Sequence, residues 1–173
     1  MITQYGRRIG VIILALVSGC DSRSGDADKR SGGGQTDSNF QVIQEDDAEM
    51  KAAIKSAQTT LQFFEKNWKT MPNDGYSLKF AMRTSDGDLE HIWFAPTGIH
   101  GDQFTGECAN EPVNVPGLKL HDVWTVSREA VTDWMIVDGR KCYGGYTIRV
   151  ISKREPENAP PLIFVDPPKE DAK

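Results

Sequence analysis

The stretch TDWMIVDGRKCYGGYTIRV, Thr132–Val150, decides how this chain folds, because it holds a turn, a glycine pair and two runs of opposite character within nineteen residues. Asp138-Gly139 between apolar runs is a two-residue hairpin signal. That turn sets Trp134 opposite Tyr143 and Met135 opposite Cys142, and Gly144-Gly145 then release the chain into the next element. The element after the glycines, YTIRVIS, is rich in β-branched residues and favours a strand, with a short helix as the alternative. A glycine pair beside Tyr146, Thr147 and Arg149 resembles an anion cradle, but the strand, loop and helix context of a phosphate site is missing. The double bend brings Asp133 and Arg149 near each other, either to lock the fold or to face a ligand.

Upstream, YSLKFAMRTSDGDLEHIWFA alternates on both sides of Asp86-Gly87, a second hairpin. A two-residue turn there places Met82 opposite His91, Phe80 opposite Trp93 and Arg83 opposite Glu90. His91 then shares a face with Phe80, Met82 and Trp93 as a packed, hydrogen-bonded histidine, while Arg83 and Glu90 form a solvated ion pair. The segment PTGIHGDQFTG reads as a loop, and ECAN, DVWTVS, VTDWMIV, RKCY and YTIRVIS read as short strands.

Before the strands, Met50, Ile54, Ala57, Leu61, Phe64 and Trp68 recur at spacings of four and three, an amphipathic helix over about five turns. Asp46 or Asp47 caps it, Lys66 and Lys69 suit its C-terminal dipole, and MPNDG ends it. A Trp-bearing apolar stripe of this kind is a core element covering a sheet. The expected fold is therefore α+β: one long N-terminal amphipathic helix packed on a mostly antiparallel, strongly curled sheet of five or six strands.

The 173 residues, 38% hydrophobic and 26% charged, suit a single domain. At the N-terminus Arg7 and Arg8 precede the apolar run IGVIILALVSG, which is short for a bilayer span and ends in small residues. Val17, Ser18, Gly19 and Cys20 match the lipobox of bacterial lipoproteins position by position. This resemblance implies that residues 1–19 are a lipoprotein signal peptide and that Cys20 is lipidated. It places the domain in the bacterial cell envelope, facing the periplasm and attached to the membrane by its acyl chains, with Asp21 favouring the inner membrane. Residues 20–44 are a Ser-, Gly- and Asp-rich tether, residues 45–165 the folded domain, and residues 166–173 a proline-rich, charged tail; within the extended stretch from Glu155 to Lys173 only LIFV can dock on the domain. Cleavage after Gly19 leaves 18 basic against 25 acidic residues, a net charge of −7. Such a domain is repelled by phosphate backbones, so no nucleic-acid partner is expected.

With Cys20 assigned to lipid, Cys108 and Cys142 remain as an even pair in an oxidising compartment, and a disulfide between them is the expectation. His91, His100 and His121 form no HExxH, paired CxxC or calcium-loop pattern with their neighbours, and no Walker, GxGxxG or GxSxG motif occurs. Neither a metal site, nor a cofactor, nor a catalytic residue is assigned.

LEHIWF, FTGECANEP, VTDWMIVDGRKCYGGYTIRVI and the preceding helix together resemble the YegJ-like family of bacterial domains, over roughly residues 48 to 151. Glu90, His91 and Trp93, Asn110 and Pro112, Asp133 and Trp134, and Gly144, Gly145, Tyr146, Thr147 and Arg149 carry the resemblance. The two cysteines depart from it, standing where aliphatic residues are more usual, as does His121-Asp122, where Gly-Asp is expected. The resemblance implies no activity and no cofactor. The candidate binding residues are thus Glu90, His91, Trp93, Asn110, Asp133, Trp134, Tyr146, Thr147 and Arg149. Two functions follow. One is a non-enzymatic, membrane-tethered domain that binds a protein or other envelope component, with inhibitor or immunity proteins as a special case. The other is an envelope enzyme or small-ligand binder in which Glu90, His91, Asp133 and Arg149 converge on one open pocket.

Overall fold

The computed structural model describes residues 47–168. The expected signal peptide, Cys20 and its lipid, the tether and residues 169–173 lie outside the described residues.

Helix α1 spans Ala48–Asn67. Asp47 caps it by accepting from the Met50 amide at 3.0 Å, and Glu49 and Lys66 sit at the ends the helix dipole favours. Its stripe of Met50, Ala53, Ala57, Leu61, Phe64 and Trp68 is buried. Each large side chain there contributes roughly 1.5–3 kcal/mol of apolar burial. Seven strands follow: β1 (Gly75–Arg83), β2 (Leu89–His100), β3 (Gln103–Cys108), β4 (Val123–Ser127), β5 (Val131–Asp138), β6 (Lys141–Gly144) and β7 (Ile163–Val165). A second helix, α2 (Tyr146–Arg154), lies between β6 and β7. The sheet order is β4-β3-β2-β1-β5-β6-β7, antiparallel throughout except for the parallel pair β6 and β7. The α+β class is as expected, but the sheet is an open one of seven strands with β4 and β7 at its edges, not a strongly curled one of five or six.

One face of the sheet carries Leu78, Phe80, Ile92, Phe94, Phe104, Trp134 and Ile136 against α1. Trp134 donates its Nε1–H to the Ala57 carbonyl at 3.0 Å, fixing the helix on β5. On the other face Met135, Val137 and Cys142 pack with Trp93, Ile148, Leu162 and Phe164.

Four expectations are corrected. At the first hairpin Met82 faces Glu90, Phe80 faces Ile92, Ala81 faces His91 and Arg83 faces Leu89, one residue from the expected register. The turn is the longer loop Thr84–Asp88, closed by the Thr84 amide on the Asp88 carbonyl, and a one-residue slip exchanges the faces of a strand. At the second hairpin Ile136 faces Tyr143 and Val137 faces Cys142, a slip of two that keeps every side chain on its expected face. PTGIHGDQFTG is not a loop: β2 runs to His100, turns at Gly101-Asp102 and returns as β3. YTIRVIS is the helix α2, not a strand. Gly144 and Gly145, at φ +78° and +63°, turn the chain out of the sheet, and Asp133 supplies the acceptors for the new helix's first amides.

The disulfide is also corrected. Cys108 and Cys142 are free and buried. They lie four strands apart, roughly 19 Å along the sheet at ~4.8 Å per strand, and on opposite faces. A bridge needs Cα atoms within about 7 Å. Each thiol is instead a small apolar core group, and burial pushes the Cys142 pKa up to about 12.

Candidate functional site

The register corrections decide where the candidate residues stand. Glu90 falls on the α1 face at the end of β2, 8% exposed, and its two carboxylate oxygens accept the amides of Val113 and Asn114 at 2.8 and 2.9 Å. It makes no cross-strand pair with Arg83, whose Nη1 donates to the Gly87 carbonyl. Glu90 thus clamps the loop that joins β3 to β4. Asn110 extends the same loop's attachment, its Oδ1 accepting the Trp93 amide at 2.7 Å.

Asp133 is wholly buried in the middle of β5. It accepts four hydrogen bonds: the amides of Trp134 (2.8 Å), Tyr146 (3.0 Å) and Thr147 (2.8 Å) and the Thr147 hydroxyl (2.6 Å). Two of those amides are the first of α2, so a residue thirteen positions upstream does the work of an N-cap. Lys79, 7% exposed and opposite Asp133 across β1 and β5, donates from Nζ to the Thr147 hydroxyl at 3.2 Å. The order ammonium, hydroxyl, carboxylate is a charge pair bridged by one oxygen. Burial pushes Lys79 below its ordinary range and Asp133 above it. For Asp133 the four donated bonds and the nearby ammonium oppose the burial, and a group that accepts from four donors is the carboxylate.

Arg149 does not meet Asp133. From α2 it donates to the Gly144 carbonyl (3.0 Å) and the Val165 carbonyl (3.0 Å), pairs with Asp166, and lies over the Tyr146 and Phe164 rings. It ties α2 to β6 and β7. Trp134 is sealed in the core among Phe63, Phe64 and Tyr146, and the Tyr146 hydroxyl accepts from Thr60 at 3.0 Å. Glu90, His91, Asp133 and Arg149 therefore occupy separate places, and no single pocket gathers them.

Two candidates remain on a surface. His91 and Trp93 stand half-buried on the sheet face opposite α1, over β2. Their neighbours on that face are Lys79 and Ala81 on β1 and, beyond Trp93, Ala95, Glu107 and Val123, the last 60% exposed. His91 is hydrogen-bonded as expected, but its partner is Thr132 at 3.0 Å and it lies on the face away from Phe80 and Met82. The Thr132 hydroxyl donates to the Lys79 carbonyl, so His91 supplies the proton from Nδ1 and keeps Nε2 as an acceptor. Burial first and Lys79 second hold the His91 pKa at about 4, so the ring is neutral at pH 7. Lys79 Nζ lies 5.3 Å from the centre of the Trp93 ring, which thus roofs the buried cation.

Lys79 and Thr132 escaped sequence reading. Lys79 alternates with Leu78 and Phe80 and reads as an ordinary outward lysine; only its small same-face neighbours Ser77 and Ala81 hint at cover. Thr132 is the extra residue of a bulge, since Lys79 pairs with Asp133 and Phe80 with Val131. Among the described residues no group of three or more His, Cys, Asp or Glu side chains is placed to hold a metal ion, and no helix is long and apolar enough to cross a membrane.

An α+β domain with two carboxylates spent as backbone clamps, and an aromatic and a neutral histidine on an open sheet face, is the class of protein this geometry defines. Residues 47–159 match the family described as "Uncharacterized protein conserved in bacteria (DUF2314)", and the chain belongs to that family. It is 32% identical over 99 residues to "Uncharacterized protein YegJ" of Escherichia coli (strain K12), a match covering 57% of this chain and 64% of that relative. The chain thus spans somewhat less than two thirds of the relative's length. No solved structure matches it.

Proposed function

We propose that this chain is a lipid-anchored domain of the bacterial envelope, facing the periplasm, that binds a protein or other envelope component on the open face of its sheet. The observation that carries the reading is the contrast in how the polar residues are used. Asp133, Glu90, Arg149, Asn110 and Thr147 are committed to backbone groups or to one another, whereas half-buried His91 keeps an unspent acceptor beside the indole of Trp93, which packs on the Met135 cluster where the covered part of this face gives way to the open part. Aromatic side chains, Trp above all, are what protein interfaces are enriched in at their centres. Inhibition of the bound component, as in immunity proteins, is one use of such a face. The pattern from Val17 to Cys20 supports the anchor, and Asp21 supports retention at the inner membrane.

Two measurements test this. Mild crosslinking of envelopes followed by purification of the full chain is expected to recover one stoichiometric component, at least ten-fold depleted with Trp93→Ala and His91→Gln. Equal recovery by folded variants would reject this face as the binding site. Cys20→Ser is expected to abolish labelling by palmitate and to release the chain from membranes; unchanged labelling would reject the anchor.

A further inference from the structure

We propose that two copies of this chain pair through β4, edge to edge and antiparallel about Thr125, to make one continuous sheet of fourteen strands. The proposal is independent of what the open face binds.

The two edges of the sheet are treated differently by the sequence. β7 is three residues long, preceded by Pro160-Pro161 and followed by Asp166-Pro167-Pro168, and prolines and charges beside a short edge oppose strand addition. β4, the other edge, is Val123–Ser127, VWTVS, with no proline, no lysine and no bulge, and among the described strands it pairs only with β3. Val123, Thr125 and Ser127 are exposed. In an antiparallel ladder, alternate residues turn their amide and carbonyl toward the neighbour. Cys108 donates to the Asp122 carbonyl and Arg128 donates to the Asp102 carbonyl, which fixes the phase. Trp124 and Val126 face β3 through their backbone, Val123 and Thr125 hold their amides and carbonyls outward, and Ser127 holds its amide outward while its carbonyl opens the 3-10 turn Arg128–Ala130.

The sequence around this edge is complementary to itself. Reversed about Thr125, HDVWTVSRE sets Thr125 on Thr125, Trp124 on Val126, Val123 on Ser127, Asp122 on Arg128 and His121 on Glu129. The two outward pairings, Thr125 with its copy and Val123 with Ser127, fall on residues whose amides are open, so each outward amide meets a carbonyl, that of Ser127 being shared with the turn it caps. Trp124 and Val126 fall at the non-hydrogen-bonded positions, where side chains approach most closely. Trp124 is half-buried and Val126 buried against the α1-side core, so pairing extends that core across the boundary.

The flanking charges have capacity to spare. Arg128 holds Glu65 with Nε and Nη2, leaving Nη1, and Asp122 holds the Lys119 amide with Oδ2, leaving Oδ1. A two-fold axis normal to the sheet through Thr125 also puts the two open faces side by side. An edge of five residues is a small interface, with a Kd on the order of 1–100 μM.

Sedimentation equilibrium of the full chain tests the pairing. The wild type is expected to be a monomer–dimer equilibrium in that range. Val123→Lys/Ser127→Lys places like charges opposite each other twice and is expected to raise Kd at least ten-fold, whereas Val123→Lys/Ser127→Glu restores opposite charges and recovers the dimer. Thr125→Pro removes an outward amide and the exposed hydroxyl contact to Thr105, leaves the backbone ladder to β3 intact, and is expected to give a folded monomer. If Thr125→Pro does not fold, the two charged variants decide the matter. A wild type that stays monomeric to about 0.5 mM, about five-fold above the upper end of that range, overturns the proposal. So does a dimer that all the folded variants retain, or that forms only with a different protein bound at β4.

Discussion

Asp133 and Glu90 perform the same act in two different settings. Both are carboxylates on strands, both accept amides from a segment distant in sequence, and both read in the sequence as candidate acid or base groups. Asp133 sits at the centre of a region covered on both faces, by α1 on one side and by α2 and the β7 segment on the other. Its charge has a buried counter-charge in Lys79, delivered through Thr147. Glu90 sits at the margin of the β2–β4 region, where only one face is covered, and holds two loop amides at the domain boundary. Burial makes the first carboxylate a condition for folding and the second a condition for one loop.

The largest effect is expected at Asp133. Asp133→Asn puts an NH2 among four donors and leaves Lys79 as an unneutralised buried ammonium. The expected loss is about 3–5 kcal/mol, the usual cost of breaking a buried charge pair by removing one partner. Urea unfolding of the single variants and of Lys79→Met/Asp133→Asn measures it. The double variant is expected to be more stable than the sum of the single losses predicts, by at least 1 kcal/mol. Additive losses would mean that Asp133 acts on α2 alone and that Lys79 is incidental.

The next effect links the covered region to the open face, because His91 bonds Thr132 and lies beside Lys79. Its pKa is about 4 in the folded protein against an ordinary 6.5. Between those values the unfolded chain binds the proton and the folded chain does not, so stability falls as pH drops from 6.5 toward 4 and is unaffected above 6.5. The expected loss from pH 7.5 to 5 is about 2 kcal/mol at 1.36 kcal/mol per pKa unit. His91→Gln should remove that share of the pH dependence. A variant whose urea midpoint follows pH as steeply as the wild type would show that His91 is solvated.

How far all this was legible depended on parity more than on propensity. The stripe from Met50 to Trp68 and the alternation of each strand are period signals that survive any turn, and α1, β1, β2 and β5 were readable from them. The turn at Thr84–Asp88 is not a two-residue one, and the single-residue difference moved Glu90 onto the covered face and His91 onto the open one. At Gly139-Arg140 the slip was two residues, so Trp134 and Tyr143 kept their face. Tyr146–Arg154 carries strand-forming residues, and what makes it a helix is Asp133 across the sheet, a tertiary contact no local window contains. The disulfide failed for the same reason: even cysteine arithmetic says nothing about which strand order separates β3 from β6.

The smallest expected effect is the one that separates a local clamp from a global one. Glu90→Gln keeps one carbonyl oxygen for Val113 or Asn114 but turns an NH2 toward the other amide, and the lost charge-assisted bond is worth about 1–2 kcal/mol. Because Glu90 binds only the 113–114 backbone, that loss is expected to open the loop before the sheet. Amide exchange of the segment from 109 to 122 should accelerate about ten-fold, while β1, β5 and α2 exchange within a factor of three of the wild type. A uniform acceleration across both regions would make Glu90 a partner of Asp133 in global folding, and the difference between the margin and the centre of the sheet would disappear.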